Sequence, residues 1–331
     1  MVFPNGVLVT SLDFELYWGA GPKERGKRKY EQSLAGARRA VPSLLKLFEK
    51  YEIHATWALV GMLFFEDHDE LMRNLPTKRP SYDNTSLSSY EQLEQLGQNE
   101  DNDPFHYASS LIKMIMSCCH QEIGTHTFSH YYCLEKGQNI DTFREDLKAA
   151  INIPQKYGLN IQSIVFPMNQ VSNAYLSTCK EAGLTAYRGT ARNWLEAIPS
   201  TNRTTLLLQR GLRLLDAYLN ITGYNAFHIN EIRGNAPMNI PASRFLRPYC
   251  DRFRIIEPVR LRRILSSLNN AARKRLIYHL WWHPYNFGIN LEKNIEFLER
   301  ILSHYAKLRD RYAMESLSMN EVAERVVKDK R

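Results

Sequence analysis

Short apolar runs separated by stretches of helical periodicity constrain this chain most. They are Val7 to Leu12, Ile53 to Val60, Ile164 to Phe166, Leu184 to Tyr187 and Leu276 to Trp282. A strand that is apolar at consecutive positions is buried on both faces, which happens when a parallel sheet is covered by helices. Between the first two runs, Ser33 to Tyr51 repeats Val41, Leu44, Leu45, Leu47 and Phe48 at helical spacing. Strand, helix and strand in repetition predict an α/β protein with a largely parallel sheet. A length of 331 residues suits one barrel-sized domain, taken as residues 1–331.

Two segments depart from the alternation. Glu66 to Asp103 holds ten acids against three Lys or Arg and is rich in Asn, Ser and Pro, so it reads as a surface insertion, a loop or lid with partial order. From Arg244 to Arg275 there are ten Lys or Arg and two acids, a local excess equal to the net charge of +8 for the whole chain. The basicity is therefore one patch. A solvated helix face explains it most simply, and the alternative is an anion-binding or membrane-peripheral surface. The part from about residue 291 to 331 reads as helical.

Bulk charge raises nucleic acid as a partner, but no nucleic-acid module is recognisable, so none is expected. No apolar stretch has the length of a membrane span. The first residues lack the basic and apolar regions of a signal peptide, and five cysteines without a CxxC spacing fit a reducing compartment. A cytoplasmic location is the expectation.

Chemistry concentrates at three places. In Gly124-Thr-His126-Thr-Phe-Ser-His130 the two histidines stand at i and i+4, a spacing that puts both on one face of a helical turn and allows them to share an ion. Chance pairs of this kind are common, so the motif alone is weak. Ser11-Leu-Asp13-Phe-Glu15 ends a strand with two carboxylates directed to one side, at the end where parallel α/β folds place ligands. The plain alternative is a strand leaving for solvent. Leu280-Trp-Trp-His283-Pro284 delivers a histidine at another strand end, where it could serve as a general acid, whereas His279 falls within the apolar run and reads as core. Trp57, Trp281 and Trp282 could stack on a sugar ring, although aromatic residues in strands are usually core.

In this order the motifs resemble those of the polysaccharide deacetylase family with the NodB homology domain. Between them, Ala55-Thr-Trp-Ala-Leu-Val-Gly61, Phe166-Pro-Met-Asn-Gln170 and Tyr187-Arg-Gly189 are similar to the family's intervening strands, and His279 to Gly288 to a C-terminal motif of a subgroup without secretion signals. The resemblance implies a distorted, incomplete (β/α) barrel related to the TIM barrel, with one divalent metal ion, usually zinc. It implies hydrolysis of N-acetyl, less often O-acetyl, groups on a sugar or glycan. Mapped residue by residue, His126 and His130 resemble the metal histidines and His283 the catalytic acid. The acidic motif supplies base and third ligand. Strand geometry assigns Asp13 as base and Glu15 as ligand, the reverse remaining open, because the familiar motif has two adjacent aspartates. Trp57, Asn169, Arg188 and Trp282 are expected to support the substrate, with a backbone N–H near Asn169 meeting the oxyanion, and Trp194 is expected to be structural. The basic segment suggests a lipid-linked intermediate of cell-surface polysaccharide biosynthesis at the anionic inner membrane face.

Met168 departs from the pattern, since related proteins carry an arginine there that orients the base. Arg188 and Arg192 are the candidates to replace it. If neither does, the alternative is a catalytically impaired homologue that binds glycan or acts as a scaffold.

Overall fold

A computed structural model describes residues 4–20, 28–196, 203–232 and 236–328. In chain order its elements are β1 (Val7–Phe14), α1 (Arg28–Tyr51), β2 (Ala55–Leu59), α2 (His68–Arg73), α3 (Ser109–Ser117), β3 (Gln121–Thr125), α4 (Ile140–Gln155), β4 (Ser163–Ile164) and α5 (Asn173–Glu181). There follow β5 (Ala186–Tyr187), α6 (Arg203–Tyr218), β6 (Met238–Asn239), β7 (Arg244–Phe245), α7 (Glu257–Lys274), β8 (Ile277–Trp282), α8 (Leu291–Tyr312), β9 (Glu315–Leu317) and α9 (Met319–Lys328).

The strands form one parallel sheet in the order β6-β5-β4-β3-β2-β1-β8-β7. The upper part of β1 pairs with β2 from Thr10 to Phe14, and β9 takes the lower part of the same edge at Val7 to Val9, while β8 runs along the other edge. Among the described residues no ladder joins β6 to β7, so the curled sheet is an incomplete (β/α) barrel.

Side-chain alternation sorts β1 between two cores. Leu8, Leu12 and Phe14 pack outward with the helices, beside Leu44 and Phe48 of α1. Val7 and Val9 face inward with Ala58, Val165, Ala186 and Ile277, and Met319, Val322 and Val326 of α9 close that smaller cluster. Ser11 and Asp13 continue the inward set at period two. On β1 the inward set thus runs from apolar at the start to polar at the carboxyl end, whereas Thr56 and Glu122 bring a hydrogen-bonded polar pair to the starts of β2 and β3.

The structure corrects several sequence expectations. Gln121-Glu-Ile-Gly-Thr125 has too few apolar residues to announce a strand, yet β3 lies between β2 and β4 because its neighbours supply the burial. The C-terminal part is not wholly helical: β9 interrupts it and enters the sheet. The 66–103 stretch is more than a loop, since it carries α2 and 3-10 turns and buries Tyr82, Gln92 and Leu93. Tyr82 Oη also accepts from Tyr132 N–H at 2.9 Å, next to the histidine loop. The basic segment does not face water as a whole, because Arg244, Arg260 and Arg263 are buried. Arg244 donates to Asp216, Arg260 to Glu257, and Arg263 to Gly223 O and to Ser267 Oγ.

His279 is fully buried on the inner face. Its Nε2 meets Ser11 Oγ at 2.8 Å, and its Nδ1 lies 3.3 and 3.2 Å from the carbonyls of Ile240 and Pro241. Burial, together with the charge of Arg188, pushes the imidazole down to about 3. The unfolded ring titrates near 6.5, so the neutral ring favours the fold above that pH and the favour is lost as pH falls from about 6.5 toward 3. Urea unfolding of the parent and of His279→Asn should therefore show a stability gap that shrinks below pH 6.5, by about 1 kcal/mol per pH unit. A gap constant from pH 7 to pH 5 would contradict this.

Candidate active site

Four chain segments converge where β1, β3, β5 and β8 end. β1 supplies Asp13 and, one residue beyond its end, Glu15. Glu15 Oε2 lies 3.2 Å from His126 Nε2 and 3.1 Å from His130 Nε2. Glu15 Oε1 accepts from Tyr285 Oη at 3.1 Å and lies 3.5 Å from His283 Nε2. Room for this carboxylate is made by Gly19, where an added Cβ would sit 2.1 Å from Glu15 Cδ.

The two histidines converge, but not on a helical turn as their spacing suggests. His126 to His130 is a loop after β3, with left-handed backbone at Thr127 (φ 67°) and His130 (φ 56°). Local bonds hold it: Thr127 Oγ1 accepts from Tyr131 N–H at 2.7 Å, and Gly61 and Met62 N–H donate to the carbonyls of Thr127 and Phe128. Asp146 of α4 accepts from Phe128 N–H at 2.8 Å, from Ser129 N–H at 3.1 Å and from the Ser129 hydroxyl. No local pattern marks Asp146 in the sequence, because its partners lie 17 and 18 positions away.

The donor set fits a divalent cation. His126 Nδ1 donates to Val165 O at 2.8 Å, so in the neutral ring Nε2 carries a lone pair aimed at the Glu15 carboxylate. Two acceptors at that distance repel unless a proton or a metal ion lies between them. His130 Nδ1 is buried and without a partner among the described residues, which leaves Nε2 as that ring's polar engagement. The ligand atoms of Glu15, His126 and His130 all lie within 4.8 Å of one another. Two imidazoles and one carboxylate are a zinc-type set that leaves a position open. Burial works against the Glu15 charge, but the charge of His283 and the close imidazoles of His126 and His130 hold its pKa well below the ordinary carboxylate range. Burial pushes His130 down, which favours the neutral, ligating ring.

Asp13 has different company. Arg188, just beyond β5, meets it with both arms, Nη1 to Oδ1 and Nη2 to Oδ2, each at 2.6 Å. Against burial, the Arg188 charge and its hydrogen bonds, with His126 and His283 nearby, hold the Asp13 pKa low. Arg188 Nη1 also donates to Ser11 Oγ at 3.2 Å, which links it to His279, and its guanidinium sits 4.0 Å from the centroid of the Trp281 ring. Met168 is 73% exposed, and Arg192 bonds Glu231 instead. Of the candidates to replace the missing arginine, Arg188 is the one that reaches Asp13.

His283 caps a 3-10 turn at Pro284–Phe287; its Nε2 lies 3.8 Å from Asp13 Oδ2 and its Nδ1 3.3 Å from Asn286 Oδ1. That turn touches α1 backbone to backbone, since a Cβ on Gly36 would lie 2.2 Å from Gly288 Cα. Beside it opens a cavity of about 610 Å³ lined by, among others, Tyr30, Tyr249, Tyr285, Asn286, Lys29 and Arg252.

Three supporting assignments need correction. Trp57 and Trp282 are buried on the outer face, Trp57 against Phe14 and Phe48 with its N–H on Gln121, and Trp282 stacked on Phe287. Alternation in β8 turns Trp281, not Trp282, toward the site, where it lies 5.7 Å from the His283 ring centroid. The N–H groups of Asn169 and Gln170 are given to Phe166 O and Pro167 O, so neither is open to an oxyanion. Trp194, expected to be structural, is half-exposed.

Residues 35–187 match the family model described as polysaccharide deacetylase, and over that stretch the chain is similar to that family. The match includes both loop histidines but not Asp13, Glu15, Arg188 or His283.

Among solved structures, the chain is similar to a protein named as a polysaccharide deacetylase from Mycobacterium smegmatis, at a TM-score of 0.62 and 13% identity, over 100% of this chain and 94% of that one. A second protein so named, from Pseudomonas aeruginosa PAO1, gives a TM-score of 0.54 at 14% identity over 96% of this chain and 89% of its own. Puue allantoinase gives 0.53 at 13% identity, over 96% and 89%. Such low identity speaks for the fold. No curated protein sequence matches the chain significantly.

Gly19→Ala is expected to displace Glu15 and weaken metal retention by about 10- to 100-fold with the fold kept. Elemental analysis after graded dialysis, beside circular dichroism, checks it. Unaltered retention would detach Glu15 from the metal.

Proposed function

We propose that this protein is a metal-dependent hydrolase that removes acetyl groups, N-acetyl foremost, from a sugar or glycan. The carrying observation is the shared Glu15 carboxylate between His126 and His130, set beside an arginine-held Asp13 and a histidine at the mouth of the same site. A zinc ion held by Glu15, His126 and His130 would polarise the acetyl carbonyl and lower the pKa of water. Asp13, kept ionised by Arg188, accepts the proton of the attacking water. His283, steadied by Asn286, gives a proton to the departing amine. Acetate and a free amino sugar leave.

Cavity and charge support a finer substrate. Tyr30, Tyr249 and Tyr285 offer ring faces to a sugar, and Lys29 and Arg252 suit a phosphate-bearing one. We read the substrate as a lipid-linked glycan met in the cytoplasm, with the protein peripheral to an anionic membrane. Among the described residues no helix is long and apolar enough to cross a membrane.

The impaired-homologue reading rested on Met168. The Arg188 fork supports an active enzyme instead, because Asp13 has a guanidinium from just beyond β5.

Acetate release from N-acetylated sugars and lipid-linked glycans tests the proposal. Asp13→Asn and His283→Ala should each lower turnover by about 10²-fold or more with metal retained, whereas Glu15→Gln should lose metal. Metal loss in Asp13→Asn with retention in Glu15→Gln would reverse the two roles. No acetate from metal-loaded parent would return the chain to the glycan-binding alternative.

A second comparison isolates the arginine. Met168→Arg should leave turnover within about twofold, and Arg188→Lys, which keeps charge but loses the fork, should lower it by about tenfold or more. A marked gain in Met168→Arg would overturn the assignment of Arg188.

A further inference from the structure

Helix α6 is amphipathic in the wrong sense for a helix facing water. Beside the buried Ala217, polar side chains hold its inner side: Gln209 donates to Leu195 O at 2.9 Å, Arg213 pairs with Glu196 at 2.6 Å, and the buried Asp216 holds Arg244 and accepts from the N–H groups of Ile221 and Thr222. Its outward face carries Leu207, Leu208, Gly211 and Leu215, and Leu219 just past its end continues the same side at 100° per residue. Those four leucines are between 51% and 63% exposed, and no charged residue interrupts the row.

More apolar surface adjoins it. Tyr218, at the end of α6, packs on Phe253 at 6.2 Å between ring centroids and donates to Glu257, so this end of the helix meets the turn that opens α7. That turn exposes Ile255 (84%), with Ile256 and Val259 also open. At the other end, the Gln209 and Arg213 bonds tie in the segment that bears the half-exposed Trp194. Scattered exposed leucines mean little, but a row with a tryptophan and an isoleucine turn marks a binding surface.

Charge selects the partner. The nearby acids are neutralised within the fold: Glu196 by Arg213, Asp216 by Arg244, Glu257 by Arg260 and Asp251 by Lys293. Arg210, Arg252, Arg254 and Arg262 are exposed and have no acidic partner among the described residues. An apolar face with a rim of unpaired arginines is the pattern of a helix lying in the headgroup layer of an anionic bilayer. We propose that the outer face of α6 and the Ile255 turn before α7 dock this protein on an anionic lipid bilayer. Arg252, one turn from Ile255, also lines the cavity beside His283, so docking brings the cavity mouth to the lipid phosphates. The docking surface does not depend on the hydrolase reading, because membrane binding is measured without turnover.

The test is co-sedimentation of the full chain with vesicles of phosphatidylglycerol and phosphatidylcholine, and with phosphatidylcholine alone. The parent should bind the anionic vesicles at low salt and lose binding as salt rises. Leu208→Glu with Leu215→Glu, and separately Ile255→Glu, should each weaken that binding by about tenfold or more, and Arg254→Gln with Arg262→Gln should weaken it by less. All are surface positions, and an unchanged circular dichroism spectrum and melting curve confirm folding. Failure of the parent to bind, or full binding by the leucine double variant, overturns the proposal. So does a parent dimer in sedimentation velocity that the leucine variant dissolves while vesicles bind neither protein, which would assign the face to a second copy of the chain.

Discussion

Asp13 and Arg188 are buried together, and most of the site is arranged by that fact. A carboxylate and a guanidinium taken out of water lose several kcal/mol of hydration each, and the loss is offset only with good geometry. The bidentate fork provides the geometry. Trp281 covers the guanidinium, whose Nε stays buried without a hydrogen-bond partner among the described residues, and Nη1 also donates to Ser11 Oγ, which meets His279 and through it the carbonyls of Ile240 and Pro241. Removing one partner would leave the other charge buried and alone, so the strands that carry them are held in register as firmly as any apolar contact would hold them. The result is an Asp13 committed to Arg188 and set apart from the cluster of Glu15, His126 and His130. Glu15, with no arginine, is left to the histidines.

How far the sequence reveals this depends on the range of each interaction. Period-two alternation on β1 and the carboxyl-end rule for parallel sheets locate Asp13, Glu15 and His283 from local pattern alone. The histidine loop was located for a partly wrong reason, since i and i+4 suggested a helix and the chain uses left-handed residues at Thr127 and His130 instead. Asp146, Ser11 and Asn286 were not legible, because a hydrogen bond to a distant residue leaves no periodic mark. Trp57 and Trp282 show the same limit from the other side: a tryptophan near a strand end is recognisable, but which face it takes follows from register. In β8 the alternation that faces His279 and Trp281 inward turns Trp282 outward, and reading the phase from His283 would have given the right tryptophan. β3, polar in sequence, was hidden because neighbouring strands bury it.

The arrangement of Glu15, His126 and His130 follows from constraint. His126 is committed at Nδ1 to Val165, Glu15 is walled by Gly19, and the loop between the histidines is fastened by Asp146. Side chains so restricted cannot turn away to relieve the lone pairs that face one another, so the protein's own packing maintains the mismatch that a cation resolves. Such a site is paid for in stability without the ion and recovers it with the ion.

The stretch that matches the family model and the rest of the site lie in different parts of the sequence. The matched stretch, residues 35–187, carries the histidine loop and the central strands. Asp13, Arg188 and His283 lie outside it, as do α6, the Ile255 turn and the cavity rim at Arg252. Loops and helices beyond the carboxyl ends of a parallel sheet can change without disturbing its register, and in this fold they are where selectivity is set. Polar anchors on α6 make sense in that light, because Gln209, Arg213 and Asp216 tie the helix to its neighbours without Leu207, Leu208 or Leu215. Those three leucines are thereby released from the core, and the fold can present them outward without losing the helix.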